Sequence, residues 1–162
     1  MSVEKVRTYL KKFGMEDRLR IFPVSSATVE LAAKALNTEP ERIAKTISFR
    51  DGKGGCLLIV TAGDTKIDNA KFKAAFGFKA RMLPHDEVEP LTGYPVGGVC
   101  PFDNPPGTRV YCDVSLKRFD CVYPAGGSAD SCVRLDCKEL FRLSRSAGWV
   151  DVCKNAGGCR KG

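Results

Sequence analysis

Two features of the sequence have residue types that could do chemistry: a lysine inside an apolar run, and a loop rich in glycine and proline. Lys45 interrupts the run IAKTISF at residues 43–49, whose β-branched and aromatic residues predict a buried strand. Such a lysine either extends from the edge of a sheet to water or lies in a cleft, where its charge meets an anionic group. The run by itself leaves both alternatives open.

The glycine-proline loop, GYPVGGVCPFDNPPGTR, covers residues 93–109 and has four glycines and four prolines among seventeen residues. This composition excludes a helix or a central strand. Irregular, glycine-rich backbone can direct several N–H groups at one oxygen, which makes an oxyanion site without side chains. An ordinary surface crossover has the same composition, so the loop alone is weak evidence for a site.

Other catalytic arrangements have less support. The only histidine, His85, follows Pro84 in an acidic helical turn and is expected to be an exposed surface residue, so we discard a nucleophile-His-Asp triad. No segment matches the phosphate-binding pattern G-x-x-x-x-G-K-[ST]. Asp64 and Asp68 flank a strand-to-helix turn, where helix capping is favoured over acid-base chemistry.

The eight cysteines lack the spacing of a zinc site or of a disulfide framework. No C-x-x-C occurs, and the closest pairs are Cys132 with Cys137 and Cys153 with Cys159. Free cysteines in apolar runs behave as small buried hydrophobic residues, which also agrees with a reducing compartment. This behaviour is expected of Cys56, Cys112, Cys121 and Cys132.

Charge and hydropathy restrict the class of protein. Lys and Arg outnumber Asp and Glu by 26 to 19, which gives a net charge of +7 and makes a polyanionic partner more plausible. No segment approaches the roughly 20 apolar residues of a membrane span, and the N-terminus lacks the apolar core of a secretory signal. We therefore expect a cytoplasmic protein that does not associate with a membrane.

The order of the predicted elements indicates one α+β domain, in which an antiparallel or mixed sheet, curled and barrel-like, has helices outside it. The domain is expected to cover residues 1–153, and residues 154–162 are expected to be a flexible tail. The elements, in chain order, are a helix in residues 1–14, a strand in 19–25, a helix at 28–37, antiparallel strands in IAKTISF and CLLIVTA, a helix over 68–76, a strand in KARML, a helical turn in PHDEVEPLTG, strands in VYCDVS, FDCVYPAGG and SCVRLD, and a helix in DCKELFRLSR. Thr28 is the expected N-cap and Asn37 the expected end of the 28–37 helix, and Asp136 and Glu139 have the spacing of a capping box.

Five motifs together resemble one family. The segments ERIAKTISF, LLIVTAGDTKID, KARML, TGYPVGGVCPF and VYPAGG occur in the order found in the YbaK/ProX family, the aminoacyl-tRNA editing domains also found inserted in prolyl-tRNA synthetases. The resemblance covers residues 28–152. It implies a cytosolic deacylase, without a metal or another cofactor, that hydrolyses the ester between a wrong amino acid and the tRNA 3′ end.

The resemblance also implies the substrate and the partners. Cys- and Ala-tRNA(Pro) are the leading candidates for the mischarged tRNA, and prolyl-tRNA synthetase is a candidate partner whose involvement stays open. A pocket that distinguishes substrates by one methyl or thiol group does so by only about 1–3 kcal/mol, so the amino acid itself is not fixed by the motifs.

The site residues follow from the same resemblance, position by position. Lys45 matches the functional lysine of the family's A-K-T strand, and the G-x-x-x-P loop matches five residues here: Gly97, Gly98, Val99, Cys100 and Pro101. The small-residue turn of the pocket matches Ala125 and Gly126. The further substrate-binding candidates are Thr46, Tyr94 and Asp68.

Two departures from the family pattern concern the pocket. The family often has Ser-Pro-Phe-Gly at residues 100–103, where this chain has Cys-Pro-Phe-Asp, and this difference could alter the pocket wall. The basic residue that follows the small-residue turn in the family is replaced by Gly127 and Ser128, which removes a charge that could contact tRNA.

The chemistry of an aminoacyl ester suits these residues. The ester is already activated, and the neighbouring ribose 2′-hydroxyl can help to position water, so the protein need not supply a nucleophile. Lys45 could hold a phosphate or carbonyl oxygen, while N–H groups near Gly98 to Cys100 could face the ester oxygen. With the resemblance, we interpret Lys45 as a lysine in a cleft.

Two other interpretations stay open at this point. A non-catalytic tRNA- or nucleotide-binding module with the same fold would bind charged tRNA without releasing the amino acid. A thiol or zinc protein is disfavoured by the cysteine spacing. A metal assay that finds stoichiometric zinc would support this interpretation again.

Overall fold

The fold consists of short helices around a small mixed sheet. The structure, a computed structural model, describes residues 2–22 and 28–155. In this part of the chain the helices are α1 (Ser2–Lys11), α2 (Val29–Leu36), α3 (Asn69–Phe76), α4 (His85–Thr92) and α5 (Cys137–Leu143). The strands are β1 (Leu19–Ile21), β2 (Ile43–Arg50), β3 (Cys56–Ala62), β4 (Thr65–Ile67), β5 (Arg109–Asp113), β6 (Tyr123–Pro124), β7 (Ser131–Val133), β8 (Trp149–Val150) and β9 (Cys153–Asn155). No helix among these is long and apolar enough to cross a membrane.

The central sheet has five strands in the order β6-β2-β3-β5-β8. Strands β2 and β3 pair antiparallel, as their joining segment RDGKGG predicts, while β6, β5 and β8 each run parallel to their neighbours. Two smaller antiparallel pairs, β1 with β7 and β4 with β9, complete the sheets of the described residues. The predicted α+β fold with a mixed sheet is confirmed.

Strand β3 is buried along its whole length because the core lies on both of its faces. Leu58 and Val60 belong to a cluster that includes Leu10 of α1, whereas Leu57 and Ile59 belong to a cluster around Phe72 of α3. Successive side chains of a strand point to opposite faces. Side chains of paired residues in β2 and β3 lie on the same face, so the β3 partner of each β2 residue shows which face that residue occupies.

Capping residues fix the ends of α2 and α5 as the sequence predicts. The Thr28 hydroxyl accepts a hydrogen bond from the Leu31 N–H (3.1 Å) at the start of α2, and Asn37 ends that helix in the left-handed conformation (φ 54°). At α5, Asp136 and Glu139 form the predicted capping box.

Some predicted boundaries were wrong. The segment KARML is not a strand: only Met82 forms an isolated bridge, to Phe49, because the chain touches the edge of β2 briefly before Pro84 begins α4. The short strands β4, β8 and β9 were not predicted. Strand β9 includes the first two residues of the predicted tail, and residues 156–162 lie outside the described part, as does the 23–25 end of the first predicted strand.

The cysteines that the structure describes are free, and most are buried. Of the four that were expected to act as small hydrophobic residues, Cys56, Cys112 and Cys132 are buried, and Cys121 is partly exposed. Burial raises the pKa of the Cys132 thiol to about 12, so this group is a neutral packing residue at physiological pH. Cys159 lies outside the described residues.

Candidate functional site

A cavity of about 290 Å³ lies along one edge of β2. Its lining comes from residues 43–48 of β2, from α2, from the start of α4, from the glycine-proline loop and from residues between 123 and 132. Among the eleven predicted site residues, five line this cavity: Lys45, Thr46, Gly97, Val99 and Ala125.

The cavity exists because β2 lacks a strand partner over part of that edge. Strand β6 pairs with β2 only at Ile43 and Ala44. Further along the same edge, the Ser48 carbonyl accepts a hydrogen bond from the Leu83 N–H (3.2 Å). Thr46 lies midway between these pairings, and alternate residues of a strand direct their backbone groups to the same edge. The N–H and C=O groups of Thr46 therefore face the gap.

Lys45 is partly buried on the face of the sheet that packs against α3. It pairs with Thr61 of β3, and its ammonium group donates a hydrogen bond to the backbone carbonyl of Thr65 at the start of β4. Burial lowers the pKa of Lys45, and the nearby Asp64 carboxylate partly opposes this shift. Lys45 is thus a lysine held in a cleft, not one that extends from the sheet edge into water.

The side chain of Thr46 lies on the face of the sheet opposite to that of Lys45. Thr46 pairs with Val60, so its side chain occupies the other face of the sheet. Its hydroxyl oxygen is buried and forms no hydrogen bond with the described residues. Since buried hydroxyl groups are nearly always hydrogen-bonded in folded proteins, a bound molecule could supply the missing partner.

The glycine-proline loop approaches the cavity at Gly97 and Val99. Gly97 has φ 92°, a conformation that favours glycine. The N–H of Gly98 donates to the Pro95 carbonyl (2.9 Å), so it is already engaged in a turn and does not face an ester oxygen. The backbone N–H groups of Gly97 and Val99 are the better candidates for an oxyanion site.

The rest of the loop lies behind the cavity wall. Cys100, Pro101 and Tyr94 are buried and do not line the cavity. The Tyr94 hydroxyl donates to the Phe102 carbonyl, and burial raises its pKa. Burial also raises the pKa of the Cys100 thiol to about 12. These residues support the loop and are not placed to contact a ligand.

Two other predicted residues also lie away from the cavity. Gly126 packs closely, since an added Cβ would come within 2.6 Å of Leu19 Cδ1. Asp68 caps α3, where it accepts hydrogen bonds from the N–H groups of Ala70 (3.0 Å) and Lys71 (3.1 Å). The structure does not bring Asp68 to the site, and its observed role is the capping role that the turn predicts.

Several lining residues had no predicted role. His85 is exposed, as expected, yet it lines the cavity at the start of α4, and Ala32 of α2 lines it from another side. Ser128 and Ser131 contribute hydroxyl groups. Only Ser128 carried a signal in the sequence, as a departure from the family pattern, whereas α2 and α4 reach the cavity through long-range packing.

Comparison with known proteins identifies the family. The sequence model of the aminoacyl-tRNA editing domain matches residues 24–143. The chain belongs to the aminoacyl-tRNA editing domain family. The match includes β2, the glycine-proline loop and residues 123–132, so the elements that form the cavity all lie within the family domain.

Individual relatives agree with this assignment. The protein YwhH of Bacillus subtilis (strain 168) is 50% identical over 155 residues, which are 96% of this chain and 99% of YwhH. The "putative Cys-tRNA(Pro)/Cys-tRNA(Cys) deacylase EbsC" of Enterococcus faecalis is 25% identical over 118 residues, 72% of each chain. A crystal structure of "a putative trans-editing enzyme for prolyl tRNA synthetase" matches with a TM-score of 0.85 at 28% identity, covering 95% of this chain and 98% of that one.

Proposed function

We propose that this editing domain hydrolyses the ester that joins a wrong amino acid to the 3′ end of tRNA, with Cys- or Ala-tRNA(Pro) as the substrate. The observation that carries the proposal is that Lys45, Gly97 and Val99 line one cavity. A cation and N–H donors around one cavity suit a reaction in which negative charge develops on a carbonyl oxygen. The choice of the tRNA for proline is taken from the names of EbsC and of the trans-editing structure.

In the proposed reaction, the terminal adenosine and its amino acid enter along the edge of β2. Water attacks the carbonyl carbon, the bond to the ribose oxygen breaks, and the ribose hydroxyl and the free amino acid leave. The N–H groups of Gly97 and Val99 stabilise the oxyanion, while the Lys45 ammonium exchanges the Thr65 carbonyl for a phosphate or carbonyl oxygen of the substrate. The ribose 2′-hydroxyl helps to position the water, so no side-chain nucleophile is required.

Partner and location are part of the same proposal. The net charge of +7 supports binding to the tRNA backbone. We place the reaction in the cytoplasm, and we include prolyl-tRNA synthetase as a partner only because one structural neighbour is described as acting for it.

The test is a deacylation panel with Cys-, Ala- and Pro-tRNA(Pro), with binding measured in parallel. We expect release of cysteine or alanine and little release of proline. A non-catalytic binding module would bind the same tRNAs and release no amino acid, so binding without turnover on every tRNA would contradict the proposal.

A further inference from the structure

The turn formed by residues 126–131, called here the Ser128 turn, carries a hydrogen-bonded group of three polar side chains at the cavity. The Ser128 hydroxyl donates to the Asp130 carboxylate (Oγ to Oδ1, 2.6 Å), and the Ser131 hydroxyl lies 2.8 Å from that of Ser128. Ser128 and Ser131 line the cavity, and Asp130 is not among the lining residues. None of the three was predicted to act in the site.

The hydrogen atoms of this group can be assigned. A carboxylate only accepts hydrogen bonds, so the single hydroxyl hydrogen of Ser128 is directed at Asp130. The Ser131 hydroxyl, which accepts from the Ser128 N–H (3.2 Å), directs its own hydrogen at the oxygen or the carbonyl of Ser128. In either arrangement the Ser128 oxygen keeps a free lone pair and has no hydrogen to donate. Ser128 therefore offers the cavity an acceptor, with a negative charge behind it.

A second oxygen of the cavity lacks a partner. Thr46 of β2 lines the same cavity, and its buried hydroxyl forms no hydrogen bond with the described residues. An unpartnered buried hydroxyl opposes folding, and a ligand that donates a hydrogen bond to it would recover this cost. Ser128 and Thr46 thus give the cavity wall two hydroxyl oxygens with lone pairs free to accept a hydrogen bond.

The Ser128 turn places this acceptor beside the loop that we propose binds the reacting carbonyl. An added Cβ at Gly98 would lie 2.7 Å from the Ser128 Cα and 2.8 Å from the Gly127 carbonyl oxygen. The turn is therefore packed directly against the backbone between Gly97 and Val99. In an aminoacyl ester, the α-ammonium group is attached to the carbon next to the carbonyl, so it lies within a few bonds of the oxyanion.

We propose that Ser128 and Thr46 bind the α-ammonium group of the substrate, and that Asp130 is a positioning residue that orients Ser128 and balances the charge. The inference rests on the proposed function and deepens it, since it identifies the substrate class as esters with a free amino group. An N-acylated ester lacks the positive charge and all but one of the N–H donors. The site therefore rejects N-blocked aminoacyl-tRNA.

The test uses stable amide analogues, in which alanine is attached to the 3′-amino group of 3′-amino-3′-deoxyadenosine. The alanyl analogue is compared with the propionyl analogue, which lacks the amino group, and with the N-acetylalanyl analogue. Alanine has no donor in its side chain, so a preference for the alanyl compound reports the ammonium group alone. Calorimetry measures the three affinities for the wild type, Ser128→Ala, Asp130→Asn and a control, Asp17→Asn, which removes one exposed carboxylate outside the cavity lining.

We expect the wild type to bind the alanyl analogue at least about tenfold more tightly than the propionyl one, because a hydrogen bond to a charged group contributes roughly 1.5–3 kcal/mol. Ser128→Ala and Asp130→Asn should reduce this preference to less than about threefold, and Asp17→Asn should retain it. The preference should also decline as the pH rises above the pKa of the ligand amine, about 8. Thermal unfolding of each variant verifies that it is folded, and the isosteric Asp130→Asn keeps the test decisive if Ser128→Ala unfolds.

Equal binding of the alanyl and propionyl analogues by the wild type, or no binding of either, would overturn the inference. A preference retained in both variants would also overturn it. Deacylation of Ala-tRNA(Pro) and of N-acetyl-Ala-tRNA(Pro) separates this result from the proposed function. Hydrolysis of both at the same rate refutes the ammonium site alone, whereas no hydrolysis of any tRNA, with the amine preference present, refutes the proposed reaction alone.

Discussion

The two sides of the cavity are held in place by different kinds of interactions. Strand β2 forms continuous main-chain pairing with β3 from Ala44 to Arg50. The glycine-proline loop has isolated main-chain turns instead, and side chains tie it together: the Tyr94 hydroxyl donates to the Phe102 carbonyl, and the Asn104 amide donates to the carbonyls of Thr92 (2.9 Å) and Cys100 (3.1 Å). Because β2 has many hydrogen bonds to β3, a single substitution on the β2 side should leave the backbone in place. A single substitution in the loop should shift the loop backbone.

Lys45 tests the β2 side and carries the largest expected effect. Lys45→Ala removes the ammonium group that the proposed reaction brings to the substrate, so deacylation should fall by about 10²–10³, as is typical when one electrostatic contact to a developing charge is lost. Stability should hold or rise, because burial of the ammonium opposes folding. Lys45→Arg should also lose most activity, since a planar guanidinium does not fit the place of a compact ammonium. Editing by Lys45→Ala at nearly the wild-type rate would refute the role of this residue.

Gly98 tests the loop side through its packing. An added Cβ would meet backbone atoms of the Ser128 turn, which cannot move like the end of a flexible side chain. Gly98→Ala should therefore lower stability by about 1–3 kcal/mol and deacylation by roughly tenfold or more. The control is Gly148→Ala, where no atom lies within 4 Å of the added Cβ. Similar unfolding curves and rates for the two variants would show that the loop is not held by this contact.

Tyr94 tests the same side with a smaller change. Tyr94→Phe leaves the buried Phe102 carbonyl without its donor, which should cost about 1–3 kcal/mol of stability. Activity should fall only several-fold, because Tyr94 holds the loop and does not contact the substrate. Tyr111→Phe is the matched control, since Tyr111 packs its ring against Phe76 and phenylalanine keeps that contact.

Cys100 distinguishes support of the loop from covalent catalysis. Cys100→Ser should retain most deacylation, because the thiol is buried behind the cavity and burial raises its pKa to about 12, which keeps it protonated. The buried hydroxyl that replaces it should lower the melting temperature slightly. Complete loss of activity in a folded Cys100→Ser protein would instead indicate a cysteine nucleophile.

Asp68 should give the smallest effect on activity. Asp68→Ala removes the cap of α3 and should lower the melting temperature by a small amount, while deacylation and its KM stay unchanged. A specific increase in KM, with α3 intact by circular dichroism, would return Asp68 to the substrate-binding site.

The sequence predicts local structure well where the determinants are local. The caps at Thr28 and Asp68 and the turn between β2 and β3 each depend on residues within a few positions, and each is confirmed. The strands β8 and β9 were missed because each is two or three residues long and has a partner far away in sequence. Pairing of this kind leaves no periodic pattern in so short a segment.

The same distinction applies to the candidate site. The motif order placed Lys45 and Gly97 at one site, and the structure brings both to one cavity. The motif order could not show that the Gly98 N–H donates to the Pro95 carbonyl, or that Tyr94 points away from the cavity, because both depend on the path of an irregular loop. The acceptor on Ser128 was also not predictable, since the direction of its hydrogen depends on where Asp130 lies after folding.

The gap along the edge of β2 has a consequence for the order of folding. The β2–β3 hairpin closes over only five residues, 51–55, so its chain-entropy cost is small and we expect it to form early. The walls opposite this edge come from segments about 50 and 80 residues further along, and such distant contacts form slowly. A nascent or partly refolded chain would therefore possess the central hairpin before it possesses a cavity, and recovery of editing during refolding should lag behind recovery of sheet structure.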